Sequence, residues 1–287
     1  MPGRKFTIAL TPGSIGVKVD QKKAIELAHY FGFESVEAYA RDLAPLSDAE
    51  LKDLREEMQA KHVAWAMAGL PVDFRRDEER FREGIKELPA ACQTLQRAGV
   101  TRLATWLSPM HESLTYLQNF KQTANRLREI AAVAHDHGLR FGLEYVGTKS
   151  LRMRQTYQFV HTMAETKELI AEIGKPNVGF VLDTWHWWTA DETAADVLTL
   201  TNKDIISCDL NDAPKDIPKE QQQDNNRELP VATGVIDVKP FLEALLKIGY
   251  DGPIRAEPFN KALNDMEDED ACATVSEAMR QAFALVA

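Results

Sequence analysis

Short apolar runs alternate with longer amphipathic stretches about eight times along this chain, and no other feature of the sequence limits its fold so strongly. A strand that is followed by a helix and then by a parallel neighbour makes a right-handed crossover, so repeated pairs build a parallel sheet. About eight pairs close that sheet into a barrel, and 287 residues hold one α/β barrel without a linker. Strands are expected at 6–10, 35–40, 63–69, 100–107, 139–147, 178–185, 205–212 and 252–259. Helices are clearest over 77–98 and 115–137, where apolar residues recur at three- and four-residue spacing. Glycines before four of the strands, in FGFES, RAGVT, DHGLR and KIGYD, suit left-handed helix caps. The expected fold class is α/β, a (β/α)8 TIM barrel with residues 1–287 as a single domain.

Four acids stand at the ends of four of these strands: Glu144 in LRFGLEYVG, Asp183 in VGFVLDTWHWW, Asp209 in IISCDLND and Glu257 in GPIRAEPF. A burial-prone strand that carries a carboxylate must offset its charge with a cation, a proton or strong hydrogen bonds. Placed one or more βα repeats apart, the four would meet at one barrel mouth, and a divalent metal would compensate all of them together. Two Glu and two Asp make a hard, all-oxygen donor set, which favours Mn²⁺ or Mg²⁺, with Co²⁺ or Zn²⁺ as the alternatives. The competing reading is that some of these acids cap helices or pair with Arg102, Arg140 or Arg255. Asp209 is the most exposed to that competition, with Asp204 and Asp212 close by as rival ligands.

Other residues near the acids suit substrate binding. His186 follows Asp183 by three residues and, as a neutral imidazole, would donate to a hydroxyl or carbonyl oxygen; otherwise it is a satisfied histidine among Trp185, Trp187 and Trp188. Arg227 lies in the long polar stretch 213–234, on the side of a barrel where active-site loops gather. It would present a planar cationic fork to substrate or else remain a solvated loop arginine. Trp106 and the tryptophans of 185–188 would wall a sugar ring or simply fill the rim. The acidic run at 265–270 reads as a solvated helix start.

Several functions are disfavoured. With 34 Lys plus Arg against 44 Asp plus Glu the net charge is −10, which opposes nucleic-acid binding. No apolar run has the length of a membrane span, and the start has no long apolar signal segment, so no membrane association and a cytoplasmic location are expected. Three scattered cysteines suggest buried free thiols. PGSIGVK lacks the spacing of a phosphate loop, and no GxGxxG, GxSxG or HExxH occurs.

The chain resembles the xylose isomerase-like TIM barrels, a superfamily of ketose 3-epimerases, hydroxypyruvate isomerases, inosose dehydratases and AP endonucleases. The likeness spans nearly the whole chain and rests on LEYVG at 143–147, VGFVLDTWHWW at 178–188, DLNDAP at 209–214, RELPVATGVID at 227–237 and IGYDGPIRAEPF at 248–259. It implies a divalent metal held by Glu144, Asp183 and Glu257, with Asp209 where the family carries histidine. It also implies substrate binding by His186 and Arg227, Val231 in place of a turn glycine, and Glu37 in SVEAYA as a residue near substrate. Glu144 and Glu257 would move protons on opposite faces of an α-hydroxy ketone or aldehyde whose carbonyl the metal polarises. The implied function is isomerisation or epimerisation of a sugar, keto-sugar or polyol derivative, with possible pairing into a homo-oligomer. A lyase or dehydratase acting on a keto-inositol or modified glycoside is the rival, since the same proton removal serves elimination. A DNA-repair endonuclease would need a histidine-rich trinuclear zinc site. A non-enzymatic sugar-binding protein is the third alternative.

Overall fold

The computed structural model describes residues 3–287, so the first two residues of the expected domain lie outside the described residues. Its strands are β1 (Thr7–Leu10), β2 (Ser35–Ala38), β3 (Ala64–Gly69), β4 (Arg102–Trp106), β5 (Met110–His111), β6 (Arg140–Glu144), β7 (Tyr157–Gln158), β8 (Val178–Asp183), β9 (Ile205–Leu210) and β10 (Pro253–Ala256). Eight of them close into a barrel in the order β1-β10-β9-β8-β6-β4-β3-β2. Neighbours in it run parallel, as the crossover rule requires. The remaining two, β5 and β7, form a small antiparallel pair on the loops that leave β4 and β6.

The strands lie where the apolar runs placed them, but each is shorter. The run 178–185 loses its last two residues to a helix, Thr184–Thr189, because the Asp183 carboxylate accepts the Trp185 N–H and caps that helix. Helices Glu78–Ala98 and Tyr116–Asp136 fill the two clearest amphipathic stretches, with Asp77 and Thr115 at their N-caps. The acidic run opens helix Asp268–Ala284. Glycines 32, 99, 138 and 249 all have φ between 71° and 82°, the region where a Cβ is penalised.

Alternation along β6 sorts its side chains. Phe141 and Leu143 pack with Leu95, Leu127 and Ile130 of the surrounding helices, while Gly142 and Glu144 face the barrel axis. Met67, Ala104 and Val181 make a small apolar floor inside the barrel. The three cysteines are buried and free, as expected. No helix among the described residues is long and apolar enough to cross a membrane.

Candidate active site

Strand register brings the four acids together. Asp183 on β8 lies opposite Asp209 on β9, and Asp209 lies opposite Arg255 on β10. Glu257 stands two residues beyond Arg255 and so shares its face, and Glu144 on β6 lies opposite Val181, two residues before Asp183. One oxygen from each of Glu144, Asp183, Asp209 and Glu257 falls within 4.8 Å of the others. Burial pushes up the carboxyls of Glu144, Asp183 and Glu257, and the other acids of the group add to the rise for Glu144.

Two arginines share the cluster, Arg227 buried and Arg255 partly so. Arg255 holds Asp209 with both prongs, Nε and Nη2 each 2.8 Å from a carboxylate oxygen, and its Nη2 also donates to Glu257 Oε1 at 3.0 Å. The pairing with Arg255, one of the three arginines considered as competitors, is therefore realised at Asp209. Arg227 donates through Nη1 to Asp183 Oδ2 at 2.7 Å and through Nη2 to Asp224 Oδ1 at 3.1 Å. It is 1% exposed, so the solvated-loop reading fails, and its guanidinium lies over Trp185 and Phe259.

Glu144 differs from the rest. Its Oε1 is buried and accepts no hydrogen bond. The nearest cationic or imidazole nitrogen to it is His186 Nε2 at 3.6 Å. That Nε2 accepts from Arg227 Nη2 at 3.3 Å, which places the imidazole proton on Nδ1, and burial keeps the ring neutral by lowering it to about 3. The ring nitrogen that faces the acids is therefore an acceptor, where the sequence led us to expect a donor. Gly147 explains how His186 comes so close: a Cβ there would lie 2.6 Å from the His186 carbonyl oxygen, so only glycine lets the strand exit pass this helix.

Glu37 on β2 and Trp106 at the end of β4 complete the residues singled out from sequence. Both line a cavity of about 240 Å³ together with Glu144, Arg255 and Glu257. Burial pushes the Glu37 carboxyl up to about 7, against the pull of Arg255. Trp106 is 45% exposed, a rim residue, whereas Trp185 and Trp187 are core, which divides the two readings of the tryptophans between them.

Sequence reasoning passed over Asn211, Asp224 and Arg75. Asn211 donates to Asp183 Oδ1 at 2.9 Å and accepts from the Glu257 N–H at 3.0 Å, locking two acid-bearing strands together. Its only sequence signal was its place in DLND. Asp224 lies in the polar run QQQDNNR, which gives no sign of burial. The rival acids are accounted for: Asp212 accepts backbone N–H groups of Ala213, Thr233, Gly234 and Ile236, and Asp204 caps Thr201. Val231, where a turn glycine was expected, has φ 60°, a conformation that a β-branched residue adopts only under strain.

Known proteins share this architecture. A xylose isomerase domain protein from Alicyclobacillus acidocaldarius is 28% identical and superposes with a TM-score of 0.84, covering 98% of this chain and 99% of that one. An inosose isomerase from Bacillus velezensis is 26% identical over 259 residues, 89% of each chain. A crystal structure of the IOLI protein with a binding zinc atom has a TM-score of 0.78 at 24% identity, covering 96% of this chain and 98% of that one. The xylose isomerase-like TIM barrel pattern matches residues 25–282, and with the barrel and its acid-lined mouth in view this chain belongs to that family.

Proposed function

We propose that this protein is a divalent-metal-dependent isomerase or epimerase of a sugar, keto-sugar or polyol derivative. The carrying observation is the meeting of four strand-end carboxylates around one point, with a bare Glu144 oxygen among them. Charge supports a cation there. The four carboxylates and Asp224 share only two guanidiniums, those of Arg227 and Arg255, so negative charge is in excess at the mouth when the acids are ionised. Glu144 Oε1 is free of hydrogen bonds; Asp183, which accepts from Trp185, Asn211 and Arg227, Asp209, held by Arg255, and Glu257 would join through their remaining lone pairs. The oxygen donors suit Mn²⁺ or Mg²⁺, and Co²⁺ and Zn²⁺ are the alternatives that metal analysis separates. When bound, the metal polarises the substrate carbonyl and acidifies the adjacent C–H.

The chain's own residues would do the rest. Glu144, without a hydrogen bond at Oε1 and with its carboxyl raised by burial, is the group that takes and returns a proton there. Glu257, held by Arg255 and near Arg227 at 3.5 Å, serves as its counterpart. Arg227, whose donors meet Asp183 and Asp224, and neutral His186 beside it would hold the acids in position from within, while Trp106 walls the ring and Glu37 stands beside it. Isomerisation is preferred over elimination because the inosose isomerase relative aligns over 89% of this chain. Among the described residues His186 is the only histidine in a metal-capable cluster, which disfavours a histidine-rich nuclease centre.

NMR in D₂O on protein loaded with Mn²⁺ or Mg²⁺, against a panel of ketoses and inososes, should show deuterium entering a carbon-bound position. Glu144→Gln should slow it by about 10²–10⁴-fold. No exchange with any compound, or no divalent ion retained after dialysis, would refute the assignment.

A further inference from the structure

The cavity at the acids is smaller than the roughly 300–1,000 Å³ usual for ligand sites, but it does not stand alone. A second cavity of about 500 Å³ adjoins it, and Arg75 and Trp106 belong to the lining of both. The second is walled by the β5 segment and by helix Tyr116–Asp136, through Met110, His111, Asn119 and Gln122.

Arg75 is a fixed cation whose ion pairing is loose. Its Nε and Nη2 donate to the Trp106 carbonyl and Nη2 to Thr105 Oγ1 at 2.6 Å, and its guanidinium stacks 4.2 Å from the centre of the Trp106 ring. These contacts hold the plane in place while supplying no formal negative charge. The nearest acid, Asp73, is 4.0 Å from Nη1 and lies closer to Arg76, at 3.5 Å. Burial lowers Arg75 to about 10, as expected of a guanidinium with too little compensation.

The neighbouring groups are donors. His111 Nδ1 accepts the N–H groups of Ser113 and Leu114, so its proton sits on Nε2, which has no partner among the described residues. Asn119 is 7% exposed; its oxygen accepts from Thr123, and its amide N–H groups have no partner among the described residues. Glu112 is the other acid on this wall, and it is exposed to solvent.

We propose that the substrate carries an anionic group, a carboxylate or a phosphate, remote from its reacting carbons, and that Arg75, His111 and Asn119 receive it in the second cavity. This rests on the isomerase reading for the reacting end. It narrows the substrate from sugars in general to acidic sugar derivatives whose length spans both cavities.

The test compares D-fructose, D-fructose 6-phosphate and 5-keto-D-gluconate by calorimetric titration of the metal-loaded protein, at low and high salt. At least one anion should bind about ten-fold more tightly than D-fructose, with a preference that shrinks as salt rises. Preference for the phosphate or for the acid identifies which anion the cavity takes. Arg75→Gln should remove most of the preference. Gln122→Glu, which places a carboxylate on the same wall from a half-buried helix position, should do so independently if the first variant fails to fold. Neither anion binding better than D-fructose, or a preference that survives both substitutions, overturns the proposal. Deuterium exchange on D-fructose without any anion preference refutes this site and leaves the isomerase reading intact; anion preference without exchange on any probe does the reverse.

Discussion

Replacing Arg255 with methionine isolates the ion pair that sets this mouth apart. Asp209 is fully buried and both its oxygens depend on that guanidinium. Removing one partner of a buried pair costs about 3–5 kcal/mol, since the remaining charge has nowhere to go. For a chain of this size each kcal/mol lowers Tm by roughly 2–4 °C, so the metal-free variant should melt roughly 6–20 °C below the parent. Two further measurements separate charge from packing. Asp209→Asn combined with Arg255→Met removes both charges and should recover most of the loss. Mn²⁺ should stabilise Arg255→Met more than the parent, because Asp209 and part of Glu257 become free to bind it; at a hundred times Kd the ion contributes about 2.7 kcal/mol. A single variant melting within about 2 °C of the parent, or a double variant no more stable than the single, would refute the account of Asp209 as a carboxylate neutralised by Arg255.

Metal affinity should rise with pH through the neutral range, because Glu144, Asp183 and Glu257 are pushed up by burial and must lose protons before the ion enters. Calorimetry in buffers of different ionisation enthalpy would register the protons released, and an affinity independent of pH would contradict the burial argument. Glu37, raised from 4.5 to about 7 in the folded chain, favours the native state below pH 4.5 and loses that contribution as pH climbs to 7. Urea unfolding of Glu37→Gln should therefore show a flatter decline across that window than the parent. Gly147→Ala should cost about 1–3 kcal/mol by forcing the new methyl against the His186 carbonyl, and it should impair deuterium exchange as well as stability. Loss of stability with undiminished exchange would show that His186 tolerates the shift.

The barrel was legible because hydrophobic period reports the local geometry of each element, and the acids were legible because each breaks an apolar run. Arg227 and Arg255 were visible as candidates, but which acid each of them meets was not. Arg227 sits among Gln, Asp and Asn in a stretch whose polarity gives no hint that it folds inward, and Arg255 became a bidentate partner only through the β9–β10 register. Asn211 is one polar residue among several until two strands bring it between Asp183 and Glu257. The pair β5 and β7 has two residues in each strand, too few for any period to show, yet it carries the His111 wall of the second cavity. Hydrogen-bond acceptors and cations declare themselves only when separate segments meet.

The residue Asp212 changes what the length of the 213–234 stretch means. By gathering the N–H groups of Thr233, Gly234 and Ile236 onto one carboxylate beside its own neighbour Ala213, it ties the two ends of the loop together without a disulfide. Its backbone also pairs with Glu228, so the segment is divided into short closed circuits. Chain added between Pro214 and Gln221 would only enlarge one circuit at the small cost of a longer closure, whereas chain added between Ala232 and Ile236 would pull donors away from the Asp212 carboxylate. The loop is long to count and short to engineer.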